Sequence, residues 1–176
     1  MGYAGGSKAN PTYRDLGDHS ETIQIDYDPA QISFQELLDI FWSSHSPTAR
    51  PWSQQYASII FYHNQEQKRL AEASLDREAA SLGNPIYTEI EPFAQFYLAE
   101  TYHQKYRLQQ DPALAREFRA LYPQDEEFIN STATARVNGY LGGYGTLAAL
   151  EADLEELGLS KETRQKLLEL LSTPRP

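Results

Sequence analysis

The pattern of apolar and polar positions predicts three short strands in the first hundred residues. Residues 22–27 alternate, with Ile23, Ile25 and Tyr27 on one face, which is typical of a half-buried strand. The mostly apolar residues 56–62 predict a buried strand, and residues 86–90 predict a third. The aromatic residues that follow, at 92–98, are predicted to form a loop.

Apolar residues at helical spacing predict two helices between these strands. In residues 33–42 the apolar side chains fall at i, i+3, i+4 and i+7, and Ser33 with Glu36 matches a capping box. Asn64 is a typical N-cap and Gly83 a typical stop, which predicts a helix over residues 64–81. Further helices are predicted at 99–108, 112–121, 146–157 and 160–171, with a glycine-rich loop at 138–145 and a frayed tail at 173–176.

This order of elements predicts an α/β (α+β) fold. Residues 1–110 are expected to form a ferredoxin-like mixed sheet with flanking helices, and residues 111–176 a helical C-terminal extension. The chain begins with a predicted glycine-containing loop that leads into the first predicted strand. We therefore expect a first strand and helix of this fold to lie upstream of Met1.

Charge and composition narrow the class of protein. The chain has 15 basic and 25 acidic residues and a formal charge of −10, which argues against a nucleic acid or an anionic membrane as partner. No apolar run approaches the roughly 20 residues of a membrane span, and no signal-peptide pattern is present, so we expect a cytoplasmic protein. The chain contains no cysteine, which excludes disulfides and any thiol chemistry of its own.

Glu21 is the first candidate catalytic residue, because it directly precedes the first predicted strand, residues 22–27. A poorly solvated carboxyl group at this position would be suited to general acid catalysis. The alternative is a solvated strand-end carboxylate, which is the commoner case. Tyr3 and Tyr56 could donate hydrogen bonds to a polarised oxygen or could pack as ordinary aromatics. Trp52 could form a pocket wall or cover the core.

Other candidate groups have weaker patterns. Glu89 and Glu91 lie two apart on a predicted strand and so share a face, which favours a solvated sheet surface over a catalytic pair. The four histidines have no ligand spacing, and no metal site is predicted. No phosphate-binding glycine motif is present, and no cofactor is predicted.

Several stretches, taken in order, resemble the A-type peptide methionine sulfoxide reductases. Residues 2–6 read Gly-Tyr-Ala-Gly-Gly, residues 19–21 read His-Ser-Glu, and residues 55–56 read Gln-Tyr. The matching stretches are residues 2–6, 10–13, 19–29, 32–42, 44–48, 55–61, 88–92 and 96–104. They cover roughly residues 1–106, and their order and spacing carry the resemblance.

The resemblance implies reduction of methionine-S-sulfoxide in oxidised proteins. In that family a cysteine attacks the sulfoxide sulfur, a glutamate and two tyrosines hold and protonate the oxygen, and thioredoxin usually recycles the enzyme. By motif position, Glu21 matches the glutamate and Tyr3 and Tyr56 match the tyrosines. Trp52 would supply a wall where the family's Gly-Asn-Asp segment is missing.

The family's Gly-Cys-Phe-Trp segment is also missing from this chain. We expect that segment upstream of Met1 and expect the chain as written to be inactive. The alternative is a module that binds methionine sulfoxide without catalysis.

Overall fold

The computed structural model describes residues 1–172, so the predicted tail at 173–176 lies outside the described residues. Internal contacts divide the chain into two units, Met1–Glu100 and Thr101–Pro176. The first unit contains all of the described strands and the second is helical. The α/β class with a helical C-terminal part is therefore confirmed.

The first unit contains a three-stranded antiparallel sheet. Its strands are β1 (Gly2–Ala4), β2 (Ser20–Thr22) and β5 (Phe96–Leu98), with β1 in the middle. Tyr3 lies opposite Glu21 on β2 and opposite Tyr97 on β5. Since directly opposed residues share a face of a sheet, Tyr3 and Glu21 project to the same side.

A second, parallel sheet joins β3 (Ile59–Tyr62) to β4 (Glu89–Pro92). The crossover between them is helix α2 (Gln65–Leu82), which packs beside α1 (Phe34–Ser43). Both helices begin as predicted, α1 with the Ser33–Glu36 capping box and α2 with the Asn64 side chain on the Gln67 N–H. The α2 helix ends at Gly83, whose φ of 64° suits glycine.

The buried side chains between these helices and β3 are Leu38, Trp42, Ile60 and Ala71. The indole N–H of Trp42 donates to the Ser74 hydroxyl over 2.9 Å within this core. The indole therefore has a partner for its one polar atom.

One strand prediction and one loop prediction were wrong. Strand β2 ends at Thr22, and Ile23 and Ile25 are 70% and 52% exposed, because the described residues offer no strand that pairs with residues 23–27. The aromatic segment predicted to be a loop contains β5. Its strand character comes from pairing with β1, more than ninety positions earlier, which a local pattern does not reveal.

The helices of the second unit surround one core. They are α3 (Tyr106–Gln109), α4 (Pro112–Leu121), α5 (Asp125–Asn130), α6 (Thr132–Leu141), α7 (Leu147–Asp153) and α8 (Lys161–Ser172). Ten buried side chains form that core, among them Leu114, Phe118, Phe128 and Leu167. The glycine-rich segment was predicted as a loop, but α6 continues to Leu141 because Val137 and Tyr140 are buried in the core.

Candidate functional site

The glycine loop after β1 is held by the side chain of Asp18. Its carboxylate accepts the Ser7 N–H at 2.8 and 2.9 Å, the Ser7 hydroxyl at 2.9 Å and the Lys8 N–H at 3.2 Å. These donors, the Ser7 N–H first, lower the pKa of Asp18 to about 2, because hydrogen bonds to a carboxylate favour its charged form. Asp18 therefore fixes the shape of the loop near neutral pH.

His19 lies buried beneath the same loop. Its Nδ1 accepts the Gly6 N–H at 3.0 Å, and its Nε2 lies 2.8 Å from the Lys8 carbonyl oxygen, so the bonding assigns the ring proton to Nε2. A Cβ added at Gly6 would stand 2.6 Å from the His19 backbone nitrogen, so glycine is required there. Both ring nitrogens of His19 are hydrogen-bonded to the backbone of the loop, which makes this histidine a structural residue.

Strand β2 carries Glu21 next to a 3-10 turn, Gln54–Tyr56. The Ser20 hydroxyl donates to the Gln54 carbonyl at 2.6 Å, and the Gln55 side-chain amide donates to Glu21 Oε1 at 2.6 Å. Consecutive residues of the turn thus contact consecutive residues of the strand. This contact brings the predicted Glu21 and Tyr56 to the same place, although they are far apart in sequence.

Aromatic side chains lie beside Glu21, and its charge acts on the Tyr56 phenol. The rings of Trp52 and Tyr56 are tilted by 31° with centroids 4.7 Å apart, and the Tyr56 phenol is hydrogen-bonded to the phenol of Tyr13. The hydrogen bond with Tyr13, partial burial and the Glu21 charge raise the pKa of Tyr56 above its usual value. The Tyr56 phenol therefore stays protonated near neutral pH.

This aromatic surface is open to solvent. Trp52 is 81% exposed, Tyr56 41% and Tyr13 38%. Glu21 is partly buried beside them. A small polar group could therefore reach the carboxyl and the phenols from solvent.

Tyr3 does not reach this surface, because its side chain is fully buried. Its hydroxyl donates to Glu100 Oε2 at 2.6 Å, and Glu100 Oε1 accepts the Tyr13 N–H at 3.0 Å. Glu100 thus links the buried tyrosine to the backbone of the exposed one. Of the predicted residues, Glu21, Tyr56 and Trp52 come together, while Tyr3 is connected to them through Glu100 and Tyr13.

Sequence reasoning missed Tyr13, Gln55 and Glu100 as parts of this cluster. Tyr13 and Gln55 lie inside stretches that carried the resemblance, and that position was their only signal. Glu100 also lies in such a stretch, but its two hydrogen bonds join residues 87 and 97 positions away. A contact of that sequence separation leaves no local pattern.

The other candidate groups do not form a site. Glu89 and Glu91 are exposed on β4. Among residues 1–172, no group of three or more histidine, aspartate and glutamate side chains could hold a metal ion. None of the described helices is both long and apolar enough to span a bilayer. The helical unit has an open cavity of about 700 Å³, lined by Tyr122, Asn130, Arg136, Glu156 and others, which contains none of the predicted site residues.

The class of protein follows from comparison with family models. A model described as peptide methionine sulfoxide reductase matches residues 1–137. A second model, the helical domain of selenoprotein methionine sulfoxide reductase A, matches residues 123–170. The mixed α/β fold with a helical C-terminal part agrees with these two family models.

Individual relatives give the same result. The chain is 46% identical over 167 residues to a peptide methionine sulfoxide reductase of Drosophila melanogaster, covering 94% of this chain and 67% of that protein. It is 42% identical over 146 residues to peptide methionine sulfoxide reductase A5 of Oryza sativa subsp. japonica, covering 80% and 57%. The chain thus spans between 57% and 67% of the length of these two relatives.

A solved structure extends the similarity to the fold. The crystal structure of Mxr1 from Saccharomyces cerevisiae in reduced form matches with a TM-score of 0.58 and 32% identity, covering 63% of this chain and 69% of that chain. The chain belongs to the peptide methionine sulfoxide reductase family.

Proposed function

We propose that this chain carries the sulfoxide-binding groups of an enzyme that reduces methionine-S-sulfoxide in oxidised proteins. The observation that supports this proposal is the Glu21 carboxyl group beside the hydrogen-bonded phenols of Tyr13 and Tyr56. A sulfoxide oxygen is a strong hydrogen-bond acceptor, and a carboxyl group beside a phenol O–H suits it.

In the proposed site each side chain has a separate task. Glu21 supplies a proton to the sulfoxide oxygen as it develops charge. One phenol of the Tyr13–Tyr56 pair donates to the other, and the second donates its proton to the sulfoxide oxygen. Trp52 provides an apolar wall for the methionine side chain. Tyr3 supports Tyr13 through Glu100, since its own ring is buried.

Reduction also requires a thiol that this chain does not contain. In the proposed reaction a thiol sulfur takes the sulfoxide oxygen, the S–O bond of the substrate breaks, and methionine leaves. The thiol is oxidised to a sulfenic acid. A second thiol then converts the sulfenic acid to a disulfide with loss of water, and thioredoxin in a reducing, cytoplasmic compartment would reduce that disulfide. The chain as written is therefore expected to bind the sulfoxide without reducing it.

Calorimetry with a short peptide containing methionine-S-sulfoxide tests the proposed binding. We expect saturable binding by the wild-type chain and a loss of about tenfold or more in Glu21→Gln, because an amide N–H is a weaker donor than a carboxylic acid and cannot transfer its proton. The same peptide with unoxidised methionine is the control. A folded sample that binds neither peptide, or a Glu21→Gln variant that binds as well as wild type, would overturn the proposal.

The absence of cysteine also favours a second function, a module that binds methionine sulfoxide without catalysis. The nucleotide sequence preceding the Met1 codon separates the two. An in-frame segment encoding Gly-Cys-Phe-Trp would favour the reductase, and a nearby stop codon without that segment would favour the binding module.

A further inference from the structure

The Gln55 side chain makes the only hydrogen bond to the Glu21 carboxyl group found among the described residues. Its Nε2 lies 2.6 Å from Glu21 Oε1, whereas Glu21 Oε2 has no hydrogen-bond partner in residues 1–172. The two oxygens of the carboxyl group are therefore in different environments. One is occupied by an amide donor, and the other remains available.

This asymmetry determines where a proton can reside on Glu21. An oxygen that accepts an amide N–H must present a lone pair, so Oε1 takes the carbonyl form when the group is protonated. The proton then lies on Oε2. The ionised carboxylate selects the N–H side of the amide before the proton arrives, because the amide oxygen and a carboxylate oxygen are both acceptors and repel each other.

We propose that Gln55 is a positioning residue that holds Glu21 through Oε1 and so directs the acidic Oε2 towards a bound sulfoxide. The inference rests on the proposed function. It adds that the orientation of the acid, and hence the recognition of one sulfoxide configuration over the other, depends on the Gln55 amide. The two configurations differ in the direction of the S–O bond, so a fixed donor distinguishes them and a freely rotating one does not.

Gln54 gives the 3-10 turn a contact with β2 that does not involve the Gln55 side chain. The Gln54 carbonyl accepts the Ser20 hydroxyl at 2.6 Å, a bond that any residue at position 54 can make. The Gln54 side chain adds a longer contact of 3.3 Å to the same hydroxyl. Gln54 is therefore a matched control in the same turn.

The test compares Gln55→Ala, Gln55→Glu and Gln54→Ala by calorimetry with peptides of methionine-S-sulfoxide and methionine-R-sulfoxide. We expect Gln55→Ala to weaken binding of the S form about tenfold and to bring the S and R affinities close together. Gln55→Glu, which replaces a donor by a charge, should be at least as damaging. Gln54→Ala should stay within about twofold of wild type and keep the S preference.

A double-mutant cycle separates positioning from a general structural effect. In a Glu21→Ala background, Gln55→Ala should change neither affinity further, since the amide acts through Glu21. Equal weakening of both sulfoxide forms by Gln55→Ala, or an undiminished effect in the Glu21→Ala background, would overturn the inference.

A ligand-free measurement distinguishes failure of this inference from failure of the proposed function. The side-chain amide NMR signals of Gln55 should move on Glu21→Ala, while those of Gln54 should not. Absence of sulfoxide binding by the wild-type chain overturns the proposed function, and the inference with it. An unmoved Gln55 signal overturns the positioning role alone.

Discussion

The two units of the chain differ in the size of their apolar cores. The helical unit has one core of ten buried side chains, whereas the first unit has two smaller clusters of four and three, so polar contacts must hold more of its structure. In the first unit, carboxylates and an imidazole connect distant segments, as Asp18, His19 and Glu100 do. Such contacts fix side-chain positions locally, and the proposed site lies among them.

The largest expected effect is a loss of unfolding free energy when a side chain of the helical core is truncated. Phe128 is fully buried, and the Arg119 guanidinium carbon lies 3.9 Å from its ring centroid. Phe128→Ala should cost about 3–5 kcal/mol of unfolding free energy, because it leaves a cavity in a packed core. Hydrogen exchange of the α5 and α6 amides measures this loss.

Tyr144→Ala is the control for the Phe128 substitution, since Tyr144 is 73% exposed and should change stability by no more than about 0.5 kcal/mol. Equal effects of the two substitutions would mean that the buried core does not determine the stability of the helical unit.

Local signals in the sequence predicted the helices better than the strands. The Ser33–Glu36 capping box and the Asn64 cap act within one turn, so their residues are visible side by side. Strand β5 exists because of its pairing with β1, and α6 continues through Gly139 because neighbouring side chains are buried. These causes lie outside the local sequence.

The proposed site was predicted in part for the same reason. Motif position indicated Glu21 and Tyr56, which the structure brings together. The hydrogen bond between Gln55 and Glu21 spans 34 positions, and Tyr13 reaches Tyr56 across 43, so only a folded chain reveals them. Motif position also indicated Tyr3, yet its hydroxyl donates to Glu100.

The second expected effect is a loss of stability of the helical unit at alkaline pH. Burial, together with donation from the Tyr140 hydroxyl to Asp153 over 2.7 Å, raises the pKa of Tyr140 to about 12 from 10.0. A raised pKa stabilises the folded state fully below the unfolded value near 10, and this contribution is lost as pH rises through 12. Urea unfolding should show a decrease of roughly 1–2 kcal/mol across this range. Tyr140→Phe should remove that part of the pH dependence, and an unchanged slope would contradict the assignment.

A smaller effect is expected at the phenol pair of the first unit. Tyr13→Phe removes the hydrogen bond that contributes most to the raised pKa of Tyr56, so the Tyr56 pKa should fall. Ultraviolet difference titration of tyrosine ionisation measures the change. The pKa of Tyr140 should not move in this variant, which provides an internal control. An unaltered Tyr56 titration would show that the two phenols are not hydrogen-bonded in solution.

The smallest effect concerns the loop that Asp18 holds. Its pKa is lowered to about 2 from 3.8, so its contribution is present above the unfolded value and is lost only as pH falls through 2. The NMR signal of the Ser7 amide should therefore stay constant from pH 7 to about 3 and move with a midpoint near 2. In Asp18→Asn the signal should start displaced and show no such midpoint. A wild-type midpoint near 4 would mean that the Ser7 and Lys8 donors do not hold the carboxylate. The first unit would then lack one of the polar contacts by which it differs from the helical unit.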